Sequence, residues 1–302
     1  NVVVTFYLGF IYSAHNICLL TILYLNNYVA VLSNKAFVNL FLIALAELKK
    51  TSWSLKAEVA TPNSWPWQVS LQYKHLLASS YIRFYHYCGG SLIQRRWVIS
   101  SARCIKSVSF VKWRAVLGEH DLGVSSDTEQ IIPVFSIYIH PEWSSLVSKG
   151  NDIALVKLSS EVTLNSYVQL ASLPSPGQIL PHNNPCYMTG WGRTYVEKGE
   201  LLPLKQAFTP VVDYQTCSSR DSWWGVIKPI MICAGRSEIT CNAGIYERRG
   251  FLGGPLSCQV DGKYYVHGSL SVSSGSGCAS REKPPIFTRL SHYMDWINST
   301  MS

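Results

Sequence analysis

Cys241–Cys258 reads CNAGIYERRGFLGGPLSC. Its second half is a glycine-rich turn, Gly253-Gly254-Pro255-Leu256, followed shortly by a cysteine. The three residues entering the turn are Gly250, Phe251 and Leu252, and no serine lies between Cys241 and Ser257. A leucine side chain has no lone pair to attack a carbonyl and no proton for a base to remove. The rest of the chain tests whether this loop is an altered copy of a known site.

The 302 residues are 47% hydrophobic, enough to bury one large core or two modest ones. The formal charge of +8 divides as +3 over residues 1–56 and +5 over the remainder. Basic groups are scattered, and Arg248-Arg249 is too short a cluster for a nucleic-acid footprint, so nucleic acid is excluded as a partner. Nine cysteines in a Trp- and Tyr-rich chain point to an oxidising compartment, with eight able to pair and one left over. No CxxC pair occurs, which argues against structural zinc and leaves disulfides as the expected use.

Residues 1–34 contain no Lys, Arg, Asp or Glu. Val2 to Leu25 is apolar enough to span a bilayer as a helix, which would make the protein membrane-anchored. Lys35 followed by the apolar run Ala36 to Ala46 reads instead as a secretion signal with an Ala-x-Ala end. A third reading takes residues 1–56 as an aberrant extension, and the three stay open. From Asn63 onward, short Val-, Ile-, Leu-, Trp- and Tyr-rich runs alternate with Gly, Pro, Ser and Asn, the punctuation of an all-β chain. Strands are expected at residues 68–73, 91–93, 97–100, 114–117, 153–158, 186–191 and 264–267. A helix is expected at Ser291–Met301, capped by Ser291, with Tyr293, Trp296 and Ile297 on one face.

In order, the landmarks Trp65-Pro66-Trp67-Gln68-Val69-Ser70-Leu71, Cys88-Gly89-Gly90-Ser91-Leu92-Ile93, Asn151-Asp152-Ile153-Ala154-Leu155, Gly190-Trp191-Gly192-Arg193, Met231-Ile232-Cys233-Ala234-Gly235 and Gly253-Gly254-Pro255-Leu256 resemble a peptidase S1 domain. Asn165 to Leu170, Pro185-Cys186-Tyr187, Val212-Asp213-Tyr214 and Trp223-Trp224-Gly225 look most like the pancreatic chymotrypsin-like elastases. The resemblance implies residues 57–302 as the domain. It implies two antiparallel six-stranded β-barrels with the active site between them and a C-terminal helix. It also implies the pairs Cys88–Cys104, Cys186–Cys258, Cys217–Cys233 and Cys241–Cys278, with Cys18 left over.

The same resemblance locates the catalytic positions. In the family the general base is the His of Ala-Ala-His-Cys, and the match here is Ser101-Ala102-Arg103-Cys104. A guanidinium holds its proton at any useful pH and cannot act as that base. Asp152 is the triad member that the match retains, and Leu252 stands at the serine position. An Asp152–Arg103 ion pair is therefore expected at the old catalytic site, its loss costing about 3 to 5 kcal/mol if well buried. His86, the nearest histidine in sequence to Arg103, is assigned a structural part. The family's activation switch pairs a freed amino terminus with the Asp before the nucleophile, matched here by Phe251. Upstream, Leu55 to Ala60 offers Lys56 to cut after but no apolar pair and no Gly-Gly. The oxyanion positions, Gly250 and Leu252, keep backbone N–H donors in a hole expected to be collapsed or mobile.

Ser271, Val272 and Ser273 match the segment that pairs with substrate backbone as an added strand. Ser273 and Pro285 fall at or near the positions that set the primary pocket. Glu119, Asp121 and Glu129 bracket a loop resembling the calcium loop of pancreatic proteases, so structural calcium is the one cofactor expected, with none required for chemistry. Asn298-Ser299-Thr300 is a glycosylation sequon. The leading expectation is a secreted, monomeric pseudoprotease that binds peptides or proteins through its former cleft. Its alternatives are an active elastase-like serine endopeptidase and the functionless product of a decayed gene.

Overall fold

Runs of β-branched and aromatic side chains suit a pleated, half-buried surface. The protein, seen in a computed structural model, is built largely of such strands. The structure describes residues 6–11, 18–25, 28–31, 57–76, 83–106, 110–191, 203–235, 250–272 and 283–302. The chain divides into two units, Asn1–Ser54 and Leu55–Ser302.

In the first unit β1 (Phe6–Ile11), β2 (Cys18–Leu25) and β3 (Tyr28–Val31) form an antiparallel sheet in the order β1-β2-β3, with Phe6 opposite Leu23 and Ile22 opposite Val31. This corrects the reading of Val2–Leu25 as a membrane helix. The segment is rich in Phe, Tyr, Ile and Thr, which favour strands, and among the described residues no helix is long and apolar enough to cross a membrane. The signal-like run at residues 36–46 lies outside the described residues.

The second unit opens with β4 (Glu58–Val59). It continues with β5 (Gln68–His75), β6 (Tyr85–Gln94), β7 (Trp97–Ser100), the short helix α1 (Ala102–Lys106), β8 (Val111–Leu117), β9 (Gln130–Ile139) and β10 (Ala154–Leu158). Strands β10-β7-β6-β5-β8-β9 close into a barrel. Its core includes Val69, Leu71, Leu92, Val98, Leu117 and Val156.

The next elements are β11 (Cys186–Gly190), β12 (Lys205–Phe208), β13 (Val211–Val212), the one-turn α2 (Tyr214–Cys217), β14 (Met231–Ala234), β15 (Pro255–Val260), β16 (Lys263–Val272) and β17 (Ile286–Arg289). They form a sheet in the order β13-β14-β17-β16-β15-β11-β12-β4. The all-β class thus holds, but the second sheet has eight strands and no closing ladder in place of a second closed six-stranded barrel, its β12 and β13 being consecutive in the chain. Pro210 has no N–H to donate and interrupts residues 205–212. One half of this run pairs with β11 and the other with β14. Residues 209–211 turn the corner, Thr209 N–H donating to Cys186 O (2.7 Å) and Val211 N–H to Asn184 O (3.0 Å).

All seven expected strands are present. The helix begins later than expected, as α3 (Met294–Met301), after a 3-10 turn at Leu290–His292. Tyr293 stands at its N-cap and makes no side-chain capping bond to the helix. Ser291 does not cap it, because its hydroxyl donates to Gln178 O (2.7 Å). Tyr293 and Ile297 are buried between the sheets beside Ile99, Ile153 and Leu155, with Trp296 packed against them. The disulfides Cys88–Cys104, Cys186–Cys258 and Cys217–Cys233 are formed. Cys241 and Cys278 lie outside the described residues, as does Ser273.

Candidate active site

Asp152 enters the gap between the barrels from a tight turn. Gly150 (φ 77°) and Asn151 (φ 59°) are both left-handed, a conformation Gly and Asn tolerate best. Tyr293 Oη donates to Asn151 Oδ1 (2.9 Å), and Thr288 Oγ1 donates to the Asp152 carbonyl (2.7 Å), fixing the turn to α3 and β17. Only 3% of Asp152 is exposed. Its carboxylate accepts from Ser101 Oγ at both oxygens (2.8 Å each), from the Arg103 backbone N–H (2.8 Å) and from Ser271 Oγ (2.5 Å).

The expected Asp152–Arg103 ion pair is consequently weak. Arg103 Nε stands 3.8 Å from Asp152 Oδ2 without a hydrogen bond, and the side chain is 31% exposed. Its Nη2 instead donates to Ser145 O (3.3 Å). The carboxylate was read as needing a cation after a change at the base position. Two serine hydroxyls and a main-chain N–H already satisfy it. Arg103→Ala is accordingly expected to cost about 1 kcal/mol or less, as for a solvent-screened pair, rather than the 3 to 5 of a buried one. Urea denaturation of the variant measures this directly.

The loop from Gly250 to Gly254 is anchored by burial. Phe251, 1% exposed, joins the second barrel's core with Met188, Leu256 and Phe287. Leu252, 9% exposed, joins the first barrel's core with Cys88 and Cys104. Consecutive side chains thus anchor the loop in two separate cores. Gly253 (φ 76°) admits no side chain, since a Cβ there would meet Ser100 Oγ and Gly89 O. Gly89 N–H donates to Leu252 O (2.8 Å), and Gly254 N–H to Phe251 O (2.9 Å). Residues 242–249 lie outside the described residues.

His86 is structural, as read. Its Nδ1 bonds Ser70 Oγ (2.7 Å) and its Nε2 donates to Gly250 O (2.9 Å). Burial presses its pKa down to about 4, against the smaller opposing pull of the Gly250 carbonyl. Burial also takes His267 to about 4. Sequence reading missed Ser70 and Ser101 as partners. The one available signal was a serine, Ser101, where the family motif has alanine.

On β16, Ser271 is 7% exposed and turned to Asp152, so its hydroxyl does not face a ligand. The β15–β16 ladder runs out at Pro255 opposite Ser269, with Gly253 N–H reaching Leu270 O (2.8 Å). Beyond Leu270, β16 has no strand neighbour on that edge among the described residues, while Val272 pairs with Ile286 on the other.

The three residues of the acidic loop do not converge. Asp121 Oδ1 accepts from Gly123 N–H (2.9 Å) and Glu129 Oε1 from Ser126 N–H (2.7 Å), each inside its own turn. Glu119 Oε1 is buried without a partner. Burial, then the nearby charge of Glu129, raise the Glu119 pKa to about 7. Among the described residues no cluster of three His, Cys, Asp or Glu side chains is suited to a metal.

These shifts set a pH dependence. His86 and His267 bind fewer protons folded than unfolded. Their stability is present above pH 6.5 and is lost as pH falls toward about 4, on the order of 3 kcal/mol each. Glu119 acts oppositely, its contribution being lost as pH rises from 4.5 to about 7. Two histidines outweigh one glutamate, so the urea midpoint at pH 4.5 should lie below that at pH 7, and Glu119→Gln should steepen the difference. Equal midpoints at both pH values would contradict the buried, neutral histidines.

A family model described as Trypsin matches residues 55–297. "Chymotrypsin-like elastase family member 1" of Bos taurus is 46% identical over 241 residues, 80% of this chain and 86% of the relative. The Rattus norvegicus protein of the same name is 46% identical over 244 residues, 80% of this chain and 87% of the relative. "Chymotrypsin-like elastase family member 3B" of Homo sapiens is 46% identical over 260 residues, 84% of this chain and 91% of the relative. With a closed β-barrel, a second rolled sheet and these matches, the chain belongs to the trypsin family of peptidase S1 domains and is homologous to the elastase-like members within it.

Proposed function

We propose that the protein is a catalytically inactive elastase-like homologue, a pseudoprotease that binds peptide or protein segments through the cleft between its barrels. The observation that carries this reading is the burial of the Leu252 side chain in the first barrel's core, at the position matched to the nucleophile. Acyl transfer needs a hydroxyl or thiol beside a base. Leu252 has no such group, and Arg103, at the position matched to the base, cannot take a proton. Asp152 has its oxygens bonded to Ser101, Ser271 and the Arg103 N–H, and it orients no imidazole.

The open edge of β16 past Leu270 supports peptide binding by strand addition, with Val272 on that segment. Three formed disulfides support secretion. In this reading residues 57–302 act as a monomeric domain, preceded by the extension 1–56. Glu119 and Glu129 form a calcium-responsive pair. At pH 8 calcium should raise the melting midpoint of the wild type, and Glu119→Gln should raise it without calcium and abolish the response. Calcium-independent melting in both proteins would remove that pair from the proposal.

The test of inactivity is exposure of the secreted chain, with and without trypsin treatment, to a fluorophosphonate probe and to small-aliphatic peptide amides. No serine labelling and no turnover are expected. Labelling at a serine, or turnover that a serine-protease inhibitor blocks, would establish the alternative of an active endopeptidase. Peptides from residues 57–302 in a secreted fraction would eliminate the reading of a decayed gene whose product is not made.

A further inference from the structure

A cavity of about 120 Å³ lies among β13, α2, β14 and β17. Its walls are chiefly apolar, including Leu180, Val211, Ile227, Ile232 and the Cys217–Cys233 pair. Two basic side chains, His267 and Arg289, also line it. His267 is 1% exposed, and neither of its ring nitrogens has a hydrogen-bond partner. Arg289 Nε is likewise buried and unpartnered. Among the described residues no carboxylate lies within ion-pair distance of Arg289. Asp213, on the same wall, is engaged by Thr216 N–H (2.7 Å) and His182 Nδ1 (3.0 Å).

Each unpaired buried polar group carries a penalty of about 1 to 3 kcal/mol. An occupant that relieves it must offer oxygen acceptors, and a negative charge to balance the guanidinium. The apolar walls require the remainder of that occupant to be hydrocarbon. A dry apolar cavity of about 150 Å³ takes a benzene-sized guest, so this one suits roughly six heavy atoms. Burial keeps His267 neutral near pH 7, leaving one ring N–H to donate to the second oxygen. Ile179 and Tyr214 stand exposed on the cavity's rim.

We propose that this cavity is a binding site for a small aliphatic carboxylate, its head paired with Arg289 and bonded to His267 and its tail against Leu180 and Ile227. The site is independent of the cleft, so its fate and that of the pseudoprotease reading are separable.

The experiment titrates the full chain with butanoate at constant ionic strength and pH 7, reading heat and melting midpoint, with butanol and butylamine as neutral and cationic controls. A saturable signal for butanoate alone is expected. Arg289→Gln should weaken it at least about tenfold, the loss of roughly 1.4 kcal/mol. His267→Phe, which replaces the unpaired imidazole by hydrocarbon, should abolish binding while raising the ligand-free midpoint. It serves as the second variant where Arg289→Gln fails to fold. Absence of a saturable response in the folded wild type overturns the proposal. So does equal binding of butanol, or unchanged butanoate affinity in a folded variant. A crystal grown with butanoate that shows only waters on His267 and Arg289 also overturns it.

Discussion

Asp152→Ala is expected to lower the unfolding free energy by about 3 to 5 kcal/mol, among the largest losses for any single polar side chain in the domain. The substitution removes an acceptor that serves Ser101 Oγ, Ser271 Oγ and the Arg103 N–H in a pocket where Asp152 itself is 3% exposed. Water cannot readily replace the carboxylate there, so the donors keep their desolvation cost and lose their bonds. Against a typical total of about 5 to 15 kcal/mol, the variant sits at the edge of folding. Asp152→Asn retains one acceptor oxygen and should lose about half as much. Urea denaturation of both, beside Arg103→Ala, separates the two accounts of this carboxylate. If Arg103→Ala costs as much as Asp152→Ala, the ion pair rather than the hydroxyl cage holds the site together.

Phe251→Ala is expected to cost about 3 to 5 kcal/mol, the range for deleting a buried aromatic ring and leaving a cavity. Phe251 is among the largest fully buried side chains and packs on Gly190, where an added Cβ would come within 2.7 Å of its Cδ1. That contact predicts an asymmetry. Gly190→Ala alone should cost about 1 to 3 kcal/mol through overpacking. Combined with Phe251→Ala, the added methyl enters the vacated space, and the double variant should be more stable than the sum of the single losses predicts. Strict additivity would show that the two residues do not share a packing site. The outcome also bears on the loop. In the resemblance this position carries a carboxylate that pairs with a freed amino terminus. Here Phe251 puts hydrocarbon into the second barrel's core at that position.

Much of the frame was legible in the chain. The spacing of strand-forming runs and breakers located the strands: β5, β6 and β7 are buried on both faces over most of their length, so the Gly, Pro, Ser and Asn between the runs, rather than an alternation, mark their ends. Gly253-Gly254 was legible as a loop signature for a steric reason, since a Cβ at Gly253 would strike Gly89 O and Ser100 Oγ. The first 25 residues were read less well. Apolar content alone does not separate a membrane helix from a strand, and Phe6–Ile11 and Cys18–Leu25 pair as strands. Ser291 was misread as a cap because its competing acceptor, the Gln178 carbonyl, lies 113 residues away.

The sequence by itself determined the side-chain chemistry available: no lone pair at Leu252, a permanent cation at Arg103, a carboxylate at Asp152 and cysteines in pairable number. Tertiary structure alone decided how those groups are used. Ser101 and Ser271, 51 and 119 residues from Asp152, converge on its carboxylate and leave Arg103 at the margin. Phe251 and Leu252, adjacent in the chain, point into different cores. Hydrogen bonds and burial depend on distances in space, and a linear order of residues carries those only after the barrels have closed.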